Sequence, residues 1–246
     1  MSTEQTQLSM KDNSYNVVCL KHGDLYSPDY VNILYNMVKR YCTYPIRFHC
    51  LTEDPAGINP DINIIPLPDI GVQGWWYKPY LFSSELPIKG VILYFDLDVV
   101  ITANIDKLFE YQPGKFLICQ DFIRKQIGPT PKFNSSVMRF HKSKVSYIYR
   151  RFVENSSFYI NRMQGDQNFI YAVAGNTGKH FPHDWIQSWK WEIRKSGRLD
   201  YNMPIGRRKL IKIEDTKPPS ECCVAVFHGD PKPHRCEDPY IIENWR

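Results

Sequence analysis

The stretch of sequence that decides the fold is Gly90-Val91-Ile92-Leu93-Tyr94-Phe95-Asp96-Leu97-Asp98-Val99-Val100-Ile101. Its β-branched, aromatic and other apolar residues predict a strand that is buried on both faces. Asp96 and Asp98 lie two residues apart, and this spacing places both carboxylates on the same side of an extended chain. Because two unpaired carboxylates beside a core are costly, we expect a cation between them.

A divalent metal is the cation that this pair favours, since carboxylate oxygens suit Mn²⁺ or Mg²⁺. The alternative is that the two aspartates cap the end of the strand and meet an arginine or backbone amides. The pair alone does not decide between these interpretations.

The composition indicates a soluble globular protein. The chain has 246 residues, of which 43% are hydrophobic and 23% are charged, and this length fits one large α/β domain or two small ones. It contains no run of about 18 apolar residues that predicts a membrane span. Residues 1–14 are polar and lack the apolar core of a signal peptide. We predict a flexible tail over 1–14 and a single domain over 15–246.

The cysteines predict a cytoplasmic protein. There are seven, and none lies in a Cys-x-x-Cys pair, as expected for reduced thiols. A zinc site near the C terminus is an alternative, but the spacing of its candidate ligands matches no zinc pattern. Those candidates are Cys222, Cys223, His228, His234 and Cys236.

The net charge of +5 is mild, and no block of like charges indicates a nucleic-acid-binding tail. No nucleic-acid partner is therefore expected, whereas nucleotide phosphates or a lipid surface are compatible with this charge. Trp185, Trp189 and Trp191 lie among basic residues. They could line an acceptor pocket, touch a membrane surface or stack on single-stranded nucleic acid, and the sequence leaves these alternatives open.

Strands and helices alternate in the first part of the chain. Residues 16–20, 46–52 and 62–67 predict strands, and Ser27 followed by Pro28 predicts the start of an amphipathic helix that continues to about Tyr41. This order predicts a doubly wound, mostly parallel sheet flanked by helices. Ligands of such sheets bind beyond the carboxyl ends of the strands, where the loop with Tyr26 follows the first strand.

Chemically complementary side chains recur at predicted strand ends and helix starts. Two aspartates and a histidine suit a divalent metal, a glycine lets the backbone approach a phosphate, and lysine adds a charge for it. Amide and hydroxyl groups suit sugar hydroxyls, and a metal with a lysine neutralises a diphosphate leaving group. Together they indicate nucleotide-sugar chemistry. The residues are Asp96, Asp98, Asn134, Ser135, Asp166, Gln167, His228, Gly229 and Lys232.

Four segments resemble GT-A glycosyltransferases of family 8, the family of glycogenin and of bacterial lipopolysaccharide galactosyltransferases. They are Phe95-Asp96-Leu97-Asp98, Phe133-Asn134-Ser135-Ser136, Gly165-Asp166-Gln167 and His228-Gly229-Asp230-Pro231-Lys232-Pro233. The likeness spans residues 16 to 236. It implies the GT-A fold with its Rossmann-like sheet, dependence on Mn²⁺ or Mg²⁺, and a UDP-sugar donor. It also implies retaining transfer of a hexose to a hydroxyl of a glycan or glycolipid.

The resemblance implies three groups of site residues. Asp96, Asp98 and His228 resemble the metal ligands, and Asp166 with Gln167 resembles the pair at the reaction centre. Tyr26, Lys78, Asp96, Asn134, Ser135, Gly229 and Lys232 resemble residues that bind the donor. The sequence departs from the family at three places, and one of them is the region from Trp185 to Trp191, which is not matched to the family. His228 and Gly229 are adjacent, whereas the family commonly has two residues between them, and Ser136 occupies the third position of the Asn-Ser motif.

Two other functions are weighed against this interpretation. A phosphatase of the haloacid dehalogenase type would use Asp96 as nucleophile and Asp98 as general acid, but that motif usually opens its domain, and here a long α/β pattern precedes it. A non-catalytic module that binds sugar nucleotides would need the same metal and phosphate residues. The presence of Asp166 and Gln167 argues against it.

Overall fold

The computed structural model describes residues 15–122, 132–194, 198–199, 210–211 and 220–246. The predicted flexible tail 1–14 lies outside these residues. The strands are β1 (Tyr15–Lys21), β2 (Ile46–Thr52), β3 (Asn63–Pro66), β4 (Val91–Phe95), β5 (Val99–Ile101), β6 (Leu117–Gln120), β7 (Phe133–His141), β8 (Lys179–His180), β9 (Ile186–Ser188), β10 (Arg198–Leu199), β11 (Leu210–Ile211) and β12 (Val224–Val226).

The helices surround these strands. The α-helices are α1 (Pro28–Tyr41), α2 (Asp106–Glu110), α3 (Lys142–Glu154), α4 (Ser156–Arg162), α5 (Asp166–Ala174) and α6 (Pro239–Asn244). Three segments are 3₁₀-helical, Gly74–Phe82, His183–Trp185 and Pro233–Arg235, and Trp189–Ile193 forms one π-helical turn. None of the helices within the described residues is long and apolar enough to cross a membrane.

A seven-stranded sheet forms the centre of the fold, with the order β3-β2-β1-β4-β7-β6-β8. All neighbouring strands run parallel except at β7, which is antiparallel to both β4 and β6. One apolar cluster lies between this sheet and α1, and a second lies under the 3₁₀ helix Gly74–Phe82, α3 and α5. The prediction of a mostly parallel sheet flanked by helices is confirmed.

Helix α1 follows directly from its sequence. Pro28 occupies the first helical position, Asp29 lies in the first turn, and Lys39 and Arg40 lie in the last turn, so the charges complement the helix dipole. Ser27 is the residue before the helix, as predicted, although its hydroxyl makes no capping hydrogen bond to the helix backbone. The buried stripe consists of Tyr30, Val31, Leu34, Tyr35, Met37 and Val38.

The prediction that residues 90–101 form one strand is wrong. Strand β4 ends at Phe95 and β5 begins at Val99, so the two aspartates lie in a turn between two sheets. The backbone N–H of Asp96 donates to Ser136 O in β7, and the carbonyl of Asp98 accepts from the N–H of Phe227. The positions of the two carboxylates therefore do not follow from the alternation of side chains along one strand. The chain leaves the first sheet at these two residues.

The second sheet brings the C-terminal part of the chain to this turn. It has three strands in the order β5-β12-β9, with β12 antiparallel to β5 and parallel to β9. Val226 pairs with Val99 at the end of β12. His228 follows two residues later, so the pairing delivers it to the neighbourhood of Asp98.

Arg139 is a buried cation in β7 that supports the loop before β6. The side chain is 2% exposed, and its guanidinium donates to the carbonyls of Tyr111, Gln112 and Lys115. Gln112 has a φ of 44°, in the left-handed region that is unfavourable for residues other than glycine. Arg139 thus fixes a strained loop from inside the protein.

We expect Arg139→Met to lower the free energy of unfolding by about 3 kcal/mol, because the carbonyls of Tyr111, Gln112 and Lys115 lose a charged donor that fixes their loop. Urea denaturation followed by circular dichroism measures this. The matched control is Arg151→Met, since Arg151 is exposed and its ion pair with Glu154 lies on the surface, and no measurable change is expected there. Equal stability of the two variants would contradict the supporting role of Arg139.

Candidate active site

The predicted site residues converge on one cavity at the carboxyl ends of β1 and β4. Its volume is about 380 Å³, and its wall includes Tyr26, Lys78, Asp96, Asp98, Asn134, Ser135, Asp166, Gln167 and His228. Gly229 and Lys232 are the two predicted residues outside the wall, although Lys232 contacts Asp98. A larger surface hollow of about 690 Å³, beside α3 and α5, contains none of the predicted residues.

The ammonium group of Lys78 lies at the centre of the site. Its Nζ is 2.8 Å from Asp96 Oδ1 and 3.6 Å from Asp166 Oδ2, and it donates to Ser135 Oγ at 3.0 Å. The 3₁₀ helix supplies Lys78, the end of β4 supplies Asp96, and the first residue of α5 is Asp166. One buried cation therefore joins three elements of the fold.

The pKa values of both Lys78 and Asp166 lie above their ordinary values. Burial lowers the pKa of Lys78, but the carboxylates of Asp166 and Asp96 outweigh burial and hold it above the ordinary value. Burial raises the pKa of Asp166, and the charge of Lys78 offsets this only in part. Lys78 thus stays charged, while Asp166 takes up a proton at higher pH than an exposed aspartate.

Asp98 lies beside a second lysine, Lys232. Lys232 Nζ is 2.6 Å from Asp98 Oδ2, and the hydroxyl of Tyr26 donates to the same oxygen at 2.8 Å. Lys232 also lies 5.4 Å from the centre of the Tyr26 ring. Burial and the neighbouring charge of Asp96 raise the pKa of Asp98, whereas Lys232 and Tyr26 act in the opposite direction.

His228 forms the third corner of the site. Its Nε2 is 2.6 Å from Ser188 Oγ, and its ring stacks on Phe122 with a centroid distance of 5.6 Å. Burial, together with the charges of Lys190 and Lys232, lowers the pKa of His228 to about 4. The imidazole is therefore neutral near pH 7, the form in which histidine binds metals.

The predicted metal ligands face one cavity, and each of them has a protein partner. In the described part of the chain, no group of three or more His, Cys, Asp or Glu side chains is placed to hold a metal ion. The candidate zinc ligands near the C terminus, which lie within the described residues, form no such group either. Two carboxylates and a neutral imidazole nevertheless have the donor chemistry that suits Mn²⁺. The donor set fits the ion chemically, while two lysines balance the carboxylate charges.

Several residues of the site were not predicted from the sequence. The Tyr94 hydroxyl donates to Asp96 Oδ1 at 2.7 Å, and its position two residues before Asp96 is a signal that could have found it. His22, Leu25 and Trp75 also line the cavity. Leu25 and Trp75 are 75% and 56% exposed, so the mouth of the cavity is apolar.

The three tryptophans left open by the sequence pack against other protein rings. Trp189 is buried and stacks on Phe227 with a centroid distance of 4.8 Å. Trp185 packs edge-on against Tyr111, and Trp191 lies 4.2 Å from the ring centre of His228. Trp189 and Trp191 thus pack against Phe227 and His228, which both line the cavity.

Comparison with known proteins identifies the class of fold. No family model matches the sequence, and no curated protein matches it. Among solved structures, an active-site mutant of LgtC matches with a TM-score of 0.64 and 16% identity over 93% of each chain. The galactosyltransferase LgtC in complex with donor and acceptor sugar analogues gives 0.60 and 15%, covering 89% of this chain and 88% of that chain.

A glycosyltransferase that belongs to a longer chain also matches. GlyE from Streptococcus pneumoniae TIGR4 gives a TM-score of 0.55 and 14% identity over 70% of this chain, and the match spans 46% of GlyE. The chain therefore has the GT-A glycosyltransferase fold, and the predicted resemblance to family 8 is confirmed at the level of the fold.

We expect Lys78→Met to lower the free energy of unfolding by about 3–5 kcal/mol near pH 7.5, because the buried carboxylate of Asp166 and the partly buried carboxylate of Asp96 lose their cation. Without the ammonium, the pKa of Asp166 rises further, so the folded protein holds a proton that the unfolded chain releases above about pH 4. The stability of the variant therefore falls as the pH rises. Urea denaturation should show a larger deficit from wild type at pH 7.5 than at pH 4.5.

The control for this prediction is Lys78→Met combined with Asp166→Asn, which removes the unpaired charge and should recover part of the lost stability at pH 7.5. A deficit that is equal at both pH values, and is not relieved by Asp166→Asn, would contradict a shared buried cation.

Proposed function

We propose that this protein is a glycosyltransferase that moves a hexose from a nucleotide-diphosphate sugar to a hydroxyl group of an acceptor. The observation that carries the proposal is the pair of lysine–aspartate contacts, Lys78 with Asp96 and Lys232 with Asp98, whose two carboxylates line one cavity of a GT-A fold. Both contacts lie beyond the carboxyl ends of parallel strands, where ligands of such sheets bind.

The diphosphate of the donor would bind at the Lys232 side of the cavity. Lys232 offers an ammonium group, and Gly229 has a φ of 71°, so its backbone can approach a phosphate without a side chain in the way. Tyr26 offers an aromatic face for the base, and Asn134 with Ser135 offers polar groups for the sugar. Asp96, Asp98 and His228 would hold Mn²⁺ or Mg²⁺, which when bound supplies positive charge to the leaving diphosphate.

The sugar chemistry would take place beside Asp166 and Gln167. The acceptor oxygen forms a bond to the anomeric carbon on the face from which the nucleotide leaves, so the configuration is retained. The bond from that carbon to the β-phosphate oxygen breaks, and a phosphate oxygen takes the proton of the acceptor hydroxyl. The buried carboxylate of Asp166 stabilises the positive charge that develops on the sugar.

UDP is the nucleotide that we propose for the donor, and a glycan or glycolipid is the proposed acceptor. The complex of LgtC with donor and acceptor sugar analogues supports a two-substrate reaction on this fold. We also propose a cytoplasmic location, since all seven cysteines are free thiols and reducing compartments keep them so. Contact with a membrane surface and a single catalytic domain over 15–246 belong to the same proposal.

A thermal-shift panel of nucleotide sugars, each with Mn²⁺ or with a chelator, tests the donor. We expect a UDP-hexose with Mn²⁺ to raise the melting temperature, because a ligand that binds only the folded state stabilises it. No response to any nucleotide sugar would overturn the proposal. Release of phosphate from simple phosphoesters without such a response would favour the phosphatase alternative.

The role of Asp166 is tested with Asp166→Asn, which keeps the size of the side chain. We expect donor binding to persist while the rate of transfer or donor hydrolysis falls by about 10²–10³-fold, as for a lost electrostatic contact in a transition state. Glu154→Gln, a neutralised surface carboxylate, is the control. If the wild type binds the donor without transfer or hydrolysis, the chain is a non-catalytic binding module.

Metal dependence has its own test. Asp98→Asn should abolish the difference between Mn²⁺ and chelator in donor binding, since one of three proposed ligands loses its charge. A metal-dependent shift as large as that of the wild type would remove Asp98 from the metal site.

A further inference from the structure

The π-helical turn Trp189–Ile193 is fastened to the corner of the site that contains His228 and Gly229. Ser188, just before the turn, lies 2.6 Å from His228 Nε2, and Trp191 lies against the same imidazole at 4.2 Å between ring centres. The hydroxyl of Ser188 also accepts from the backbone N–H of Trp191. Lys190 lies between these two residues in the chain, so its backbone is held beside His228.

Lys190 points at Gly229. Its Nζ lies 3.7 Å from the position that a Cβ atom would occupy on Gly229. Gly229 has no side chain there and adopts a left-handed backbone conformation, so the space in front of its peptide stays open for a ligand. The ammonium group and the open backbone therefore face the same small volume.

The charge of Lys190 is not balanced by an acid in the described part of the chain. The nearest acid in its own turn, Glu192, accepts from the backbone N–H of Ser188 at 2.7 Å and lies 3.6 Å from His183 Nε2. Lys232 is the other cation at this corner, and its partner is Asp98. The corner thus carries an excess of positive charge that a bound anion would neutralise.

We propose that Lys190 is a second cation for the donor diphosphate, acting with Lys232 across Gly229; this rests on the proposed function. The sequence resemblance assigns Gly229 and Lys232 to the pyrophosphate and assigns no such role to Lys190. A diphosphate carries charge on both of its phosphates, so the ammonium groups of Lys190 and Lys232 would each contact one of them. As the bond to the sugar breaks, negative charge grows on the leaving diphosphate, and Lys190 stabilises it there.

The test is the affinity for UDP and for uridine, measured by calorimetric titration and ligand-observed NMR, once with Mn²⁺ and once with chelator. We expect Lys190→Gln to weaken UDP binding about 10-fold, the loss of one charge-assisted contact, and to leave uridine binding unchanged. Lys190→Arg, which keeps the charge, should restore most of the UDP affinity. Lys39→Gln is the matched control, because it makes the same charge change on the exposed side of α1.

The outcomes separate this inference from the function on which it rests. If the wild type binds no UDP and no other nucleoside diphosphate, the proposed function fails and Lys190 loses its role with it. If the wild type binds UDP and Lys190→Gln matches Lys39→Gln, only the assignment of Lys190 is overturned. An equal loss of UDP and uridine affinity would assign Lys190 to the structure of the pocket and would likewise overturn the proposal.

Discussion

The sharing of one buried ammonium group by two carboxylates is the interaction on which the site depends. The ammonium group of Lys78 lies between the carboxylates of Asp96 and Asp166, and their opposite charges hold it there. A charge in an apolar interior is costly unless it is paired, so none of the three groups is free to turn away. Electrostatic attraction therefore adds to apolar packing in fixing three elements relative to one another. These elements are the 3₁₀ helix, the end of β4 and the start of α5.

The second sheet extends this arrangement towards the C terminus. Pairing of β12 with β5 brings His228 and Lys232 to Asp98, while the loop after β1 brings Tyr26 to the same carboxylate. Segments from both ends of the described chain thus meet at one turn. The cavity has an apolar mouth at Leu25 and Trp75, and Lys190 and Lys232 give the His228 end a positive charge. The two ends therefore offer different chemical surroundings, one to apolar groups and one to anions.

Local patterns in the sequence predicted the regular elements well. Helix α1 and strand β2 have the predicted bounds, because apolar period, proline and terminal charges all act within the element itself. Most of the predicted site residues meet in one cavity, because strand ends of a parallel sheet share an edge. The break between β4 and β5 could not be predicted, since periodicity does not tell where a chain changes sheets. The partners of His228 and the direction of Lys190 depend on contacts between residues distant in sequence.

The turn between β4 and β5 has a mechanical consequence. Asp96 is bonded through its backbone to the large sheet, and Asp98 is bonded through its backbone to the small one. The distance between the two carboxylates therefore depends on the angle between the two sheets. A ligand that contacts both carboxylates would connect the large sheet to the small one at this turn. If the proposed metal ion binds both carboxylates, its radius would set the distance between two residues, one held by each sheet.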